Sequence, residues 1–165
     1  MDSILSDTRG DEMPENLIHE SRYFTTRQAS DTSVPGHLIV ASKVPCTSLD
    51  GFAEDQAADL MRCLVQAETL VQQILQPERI YVLKFGEAVP RIHFHVFPRT
   101  ARLLEAYLAE VADREPYSGA RIMDWVWSHP GSAGFAEEDI QTFIEAARAR
   151  LSSPRPVGRP GAPGR

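Results

Sequence analysis

The stretch RIHFHVFPR, residues 91–99, sets His93 and His95 two residues apart, with Arg91 two residues further upstream. In an extended strand successive side chains alternate faces, so Arg91, His93 and His95 share one face while Ile92, Phe94 and Val96 share the other. The apolar face belongs to a core. The polar face then carries two imidazoles and a guanidinium in a row, about 7 Å apart, a spacing suited to successive groups of one extended ligand. An anion fits this row. Imidazole serves as nucleophile, general acid or phosphate donor near neutral pH, whereas arginine only donates and neutralises. Histidines at this spacing are also compatible with two other readings: plain structural residues of a strand, or chelation of zinc or iron. A metal needs more ligands, yet no cysteine or carboxylate follows closely; Glu105 is the nearest acid downstream and His37 a distant candidate. The strand chemistry itself calls for no metal and no other cofactor.

Several elements must position this row. RYFTTRQAS has strand-like β-branched and aromatic content, and GHLIVAS is a compact apolar run introduced by the turn residues Pro35-Gly36. From Glu54 to Leu75 the apolar residues Leu60, Leu64, Ala67 and Val71 recur at helical spacing, with Asp50-Gly51 able to start the helix and Pro77 stopping it. RIYVLKF and RIHFHVF read as two more strands joined by the tight link GEAVP. A helical stretch, ARLLEAYLAEVA, follows, and an amphipathic helix near 136–151 carries acids in its first turn and arginines in its last, as the helix dipole favours. Short links between paired strands imply an antiparallel sheet with helices packed on it, an α+β fold. Trp125 and Trp127 alternate as in a strand and read as packing or dimer contacts rather than a base-stacking platform. His19 and His129 have no motif around them, and Lys43 reads as a solvated strand-end residue that could also steer phosphate.

Length and composition bound the function. At 165 residues and 42% hydrophobic, the chain suits one domain, expected over 19–151, between a flexible arm at 1–18 and a disordered Pro/Gly-rich tail at 152–165. A net charge of −6 argues against a nucleic-acid-binding surface and leaves room only for a local cationic pocket. Cys46 and Cys63 form neither a disulfide framework nor a metal pair, which fits a reducing cytoplasm. The first residues lack a signal-peptide pattern and no apolar run is long enough to span a bilayer, so neither export nor a membrane is expected.

Taken together, GEAVPRIHFHVFPR and the upstream PGHLIVASK resemble the histidine-triad (HIT) family of nucleotide hydrolases and transferases. Its signature is His-φ-His-φ-His-φ-φ, with φ apolar, usually preceded by Gly-x-x-Val-x and often followed by Pro-Arg. Gly86, Val89, His93, His95, Pro98 and Arg99 fall in register, as do Gly36-His37 and Lys43 upstream, so the resemblance covers roughly 22–100, with 101–151 as a C-terminal helical extension. It implies a HIT-like antiparallel sheet with a long helix between strand pairs and additional C-terminal helices. It also implies a homodimer, and a nucleotide or dinucleoside polyphosphate ligand bound with its α-phosphate on the histidine strand. Carried over by position, His93 is the nucleophile that forms a covalent nucleotidyl intermediate, with its protonated ring nitrogen oriented by a backbone carbonyl. His95 is the donor to the phosphate oxygens.

The departures are specific. Arg91 stands where the family has its first histidine, Ala88 where many members have serine, and Glu87 where a glutamine is frequent. Arg91, Gly86, Val89 and Lys84 are the expected substrate-binding residues, with Asp31 near the family's ribose-binding acid although two residues out of register. The expected function is cleavage or transfer at the α-phosphate of a dinucleoside polyphosphate or nucleoside phosphoramidate through His93. The alternative is a catalytically impaired nucleotide-binding sensor or partner-binding module.

Overall fold

The computed structural model describes residues 15–85 and 90–153. Five strands, β1 (Leu17–Glu20), β2 (Phe24–Gln28), β3 (Leu38–Ser42), β4 (Arg79–Leu83) and β5 (His93–Arg99), form one sheet in the order β1-β2-β3-β5-β4. Every pairing is antiparallel. The helices are α1 (Glu54–Leu75), α2 (Ala101–Glu110), α3 (Gly119–Ser128) and α4 (Glu137–Ser152). The α+β class, the strand pairs and the long intervening helix are as the sequence predicts.

Alternation along the strands separates two cores. On one face Leu38, Val40, Ile92 and Val96 pack with Leu60, Ala67 and Val71 of α1 and with Phe143 and Ile144 of α4. On the other, Phe97 joins Leu103 and Tyr107 of α2 and Ile122, Val126 and Trp125 of α3. The histidines of β5 have the parity of Phe97, so they look toward α2 and α3. Burying a Leu or Phe side chain in such clusters stabilises the fold by roughly 1.5–3 kcal/mol each.

Three elements differ from expectation. The strand β1 takes in Leu17 and Ile18, both only 5% exposed, which the sequence reading assigns to the arm. Asp50 and Gly51 form their own 3-10 turn, Leu49–Gly51, and α1 begins later at Glu54, with the Gln56 amide oxygen accepting from the Ala53 N–H at 2.9 Å. At its far end Gln76 takes a left-handed φ of 47° before Pro77, which cannot continue the helix. The stretch around Trp125 and Trp127 is helix α3, not strand. At about 100° per residue the two rings leave the helix on nearly opposite sides: Trp125 enters the core, and Trp127 reaches the histidines.

Candidate active site

Strands β3 and β5 build the site. Ile39 pairs with His95 and Ala41 with His93, so residues 37, 39 and 41 share the histidine face while Leu38 and Val40 enter the opposite core. His37, just before β3, thereby comes alongside Phe97 and next to His95. A tight turn holds it there. The His37 N–H donates to the Val34 carbonyl at 3.1 Å, and Gly36 has φ 77°, a conformation that L side chains rarely adopt. A Cβ on Gly36 would lie 2.6 Å from Leu75 Cδ1, so α1 also presses this turn against the sheet. The buried Gln28 staples it, accepting from the Gly36 N–H at 3.0 Å and donating to the Val34 carbonyl at 2.9 Å.

The imidazoles are fixed through their ring nitrogens. His93 Nδ1 lies 3.0 Å from the Arg91 carbonyl oxygen. A carbonyl only accepts, so in the neutral ring the proton sits on Nδ1 and the lone pair on Nε2. The His95 ring centroid lies 5.2 Å away. His95 Nδ1 faces His37 Nε2 at 3.0 Å, and His37 Nδ1 faces the Thr32 hydroxyl at 2.6 Å, giving the chain Thr32–His37–His95. All three residues are buried, His37 completely. Burial, then the neighbouring His95, pushes the His37 pKa down to about 4, against a weaker upward pull from Asp31. Burial, followed by His93, also lowers that of His95, and Asp31 again opposes. Two adjacent imidazoles under these conditions stay neutral near pH 7.

Aromatic rings flank the row. Trp127 packs edge-on against His95 at 5.6 Å and against Phe85 at 5.9 Å between centroids, and Phe85 lies 6.1 Å from His95. The Trp127 Nε1–H donates to the Asp31 carboxylate at 3.0 Å. Helix α3 approaches the sheet closely enough to bring Trp127 there: a Cβ on Gly119 would lie 2.8 Å from the Tyr81 ring of β4.

The expected site residues fare differently. His93 and His95 come together on one face. Arg91 is exposed and precedes β5, bridged to Cys46, so its backbone reaches His93 while its side chain lies open to solvent. Asp31 is present at the site but is engaged by Trp127. Lys84 is exposed just beyond β4, and Gly86 and Val89, with Glu87 and Ala88, lie outside the described residues. Lys43 pairs with Glu20 at 2.5 Å, and Arg99 pairs with Glu78 at 3.2 Å. The sequence does not single out Thr32, Phe85 or Trp127 as site residues, and it offers His37 only as a distant metal ligand and a motif match. Among the described residues no three His, Cys, Asp or Glu are grouped to hold a metal ion, nor is any helix long and apolar enough to cross a membrane. A cavity of about 1010 Å³ lies away from the histidines of β5, lined by β1 with its His19, by α1 and by the end of α4, and its Asp59 carboxylate is already held by the Ser21 hydroxyl and the Tyr23 N–H.

Comparison with known proteins bears on the fold and the family. No curated protein matches the sequence. The fold is similar to that of a histidine triad protein from Bradyrhizobium japonicum, at 18% identity over 83% of this chain and 92% of that one, with a TM-score of 0.60. It is also similar to a hypothetical histidine triad nucleotide-binding protein from Sulfolobus tokodaii, at 13% identity over 82% and 83% of the two chains, TM-score 0.55. A third is a zinc-bound histidine triad family protein from Mycobacterium smegmatis, at 17% identity over 84% and 87%, TM-score 0.54. At such identities the likeness carries the fold. The family model described as the HIT domain matches residues 10–102, more than half of the 165 residues, and on that match the chain belongs to the HIT family.

Proposed function

We propose that this protein is a nucleotide hydrolase or nucleotidyltransferase acting at the α-phosphate of a dinucleoside polyphosphate or nucleoside phosphoramidate, through a covalent intermediate on His93. The observation that carries the reading is the 3.0 Å contact between His93 Nδ1 and the Arg91 carbonyl. It holds the proton on one nitrogen and leaves Nε2 as an oriented lone pair. In the first step Nε2 forms a bond to the α-phosphorus as the bond to the leaving group breaks, and the leaving group departs with the electron pair and takes a proton from solvent. Water then attacks the phosphorus and loses a proton, the P–N bond breaks, and its electron pair returns to Nε2. His95 donates to the non-bridging oxygens, where charge gathers in the transition state. Arg91, Lys84, Gly86 and Val89 are the proposed phosphate-binding residues, Asp31 and Trp127 border the nucleoside end, and the working form is a homodimer.

The rival is a nucleotide-binding module without turnover, favoured by one observation: the side chain in place of the family's first histidine is an exposed arginine. A panel of dinucleoside polyphosphates and nucleoside phosphoramidates, assayed for hydrolysis and for protein-bound nucleotide after acid-free quenching, separates the two. Turnover with a trapped nucleotidyl adduct on His93 is the expected result. Saturable binding without product or adduct would transfer the reading to the rival.

A further inference from the structure

Two neutral imidazoles that share a hydrogen bond hold one proton between them, so the state of His95 depends on that of His37, and His37 in turn on Thr32. Two arrangements satisfy the distances of 2.6 Å and 3.0 Å. In the first, the Thr32 hydroxyl donates to His37 Nδ1, His37 Nε2–H donates to His95 Nδ1, and His95 carries its proton on Nε2, its remaining nitrogen. In the second, every proton is reversed: His37 Nδ1–H donates to the Thr32 oxygen, His95 Nδ1–H donates to His37 Nε2, and His95 Nε2 is a bare lone pair.

The two differ in what happens to the Thr32 hydroxyl hydrogen. The first arrangement uses it. The second leaves it pointing at no acceptor, because among the described residues His37 is the only hydrogen-bond partner of Thr32. Thr32 is 6% exposed, and a buried donor left unpaired is costly. Among the described residues the surroundings supply no alternative acceptor for the relay: His37 packs on the rings of Phe97 and Trp127, and the Asp31 carboxylate accepts from the Trp127 indole but makes no hydrogen bond to Thr32, His37 or His95. A charged His37 would collapse the distinction between the arrangements, but its pKa of about 4 keeps it neutral.

We infer that Thr32 is a positioning residue which, acting through the buried His37, commits His95 to the tautomer that presents an N–H to the ligand. Deepening the function proposed above, this makes His95 a dedicated donor to phosphate oxygens and leaves Nε2 of His93 as the free imidazole lone pair on β5. It also explains why a chain without the family's first histidine keeps an ordered pair: the support for His95 comes from β3 and the preceding loop.

The tautomer is read directly by 15N–1H correlation of the imidazole side chains in the ligand-free full chain at pH 7. His95 is expected with its proton on Nε2 and an unprotonated Nδ1. In Thr32→Val, which keeps the shape and removes the hydroxyl, His95 is expected to become a tautomer mixture, and Thr32→Ser to restore the wild-type pattern. Turnover in Thr32→Val is expected to fall by about tenfold in kcat with KM unchanged, and to recover in Thr32→Ser. His95 protonated on Nδ1 in the wild type, or a Thr32→Val spectrum identical to wild type, would overturn the inference. The spectrum needs no substrate, so it decides the relay even where the turnover assay goes against the hydrolase reading.

Discussion

His37 Nε2 and His95 Nδ1 stand 3.0 Å apart although 58 residues separate them in the chain. This contact, together with the Arg91 carbonyl on His93, gives each imidazole of β5 a fixed partner on Nδ1. The arginine at position 91 thus removes an imidazole from the row without leaving either remaining ring unsupported. This supports the proposed hydrolase reading, and the expected outcomes below follow from that proposal.

His93→Ala is expected to abolish turnover, by more than about a thousandfold, because it removes the proposed nucleophile outright. Its stability should stay within roughly 1 kcal/mol of wild type, since His93 is only half-buried and supports neither core. Hydrolysis assays paired with denaturant titration check both halves, and wild-type rates in the variant would rule out the covalent route.

Arg91→Ala tests whether the exposed guanidinium grips phosphate. Nucleotide binding should weaken by roughly 1.5–3 kcal/mol, the range for hydrogen bonds to charged groups, and become less salt-dependent. Calorimetric titration at two ionic strengths measures this; unchanged affinity would make the side chain a solvated bystander whose contribution is its backbone carbonyl.

Gly36→Ala is expected to be destabilising by roughly 2–4 kcal/mol, summing a left-handed backbone penalty and overpacking. The φ of 77° and the 2.6 Å approach of Leu75 Cδ1 act together at this one position. Because His37 follows directly, nucleotide turnover should also fall in the folded fraction. Urea unfolding of the variant gives the first number, and a loss below about 0.5 kcal/mol would show that the turn relaxes freely.

Stability should depend on pH through His37. Unfolded histidine protonates near 6.5, whereas folded His37 resists until about 4, so the unfolded state binds more protons between those values. Stability is therefore full above pH 6.5 and declines as pH falls toward 4, by about 3 kcal/mol from this residue. His95, lowered by burial and by His93, acts in the same direction. His37→Asn removes one titration and should flatten the decline; identical pH slopes in denaturant titrations of the two proteins would refute it.

Much of the fold is legible in the sequence because it is written in local periodicity. The helical recurrence of Leu60, Leu64, Ala67 and Val71, stopped by Pro77, predicts the body of α1, Glu54–Leu75, although not that Asp50 and Gly51 stay outside it in their own turn. Alternation along residues 91–97 predicts the two faces of β5, and Ile92 and Val96 do enter the core opposite His93 and His95. The Gly36-His37 pair also stands out, since glycine takes the left-handed φ of that turn far more readily than other residues. Elsewhere the local signal is weak or misleading. The four-residue β1 has too short a pattern to separate Leu17 and Ile18 from a polar arm, and its strand state comes from pairing with β2.

The candidate site divides along the same line. The sequence by itself determined which imidazoles share a strand face, because a pleat of period two leaves no choice. Only the tertiary structure decided their partners. Thr32, His37 and His95 meet through the antiparallel register of β3 on β5, and Trp127 meets them through the packing of α3 on β4, with its indole anchored on Asp31, 96 residues away. Contacts of this kind depend on how separate elements dock, and no local pattern of apolar and polar residues encodes that distance.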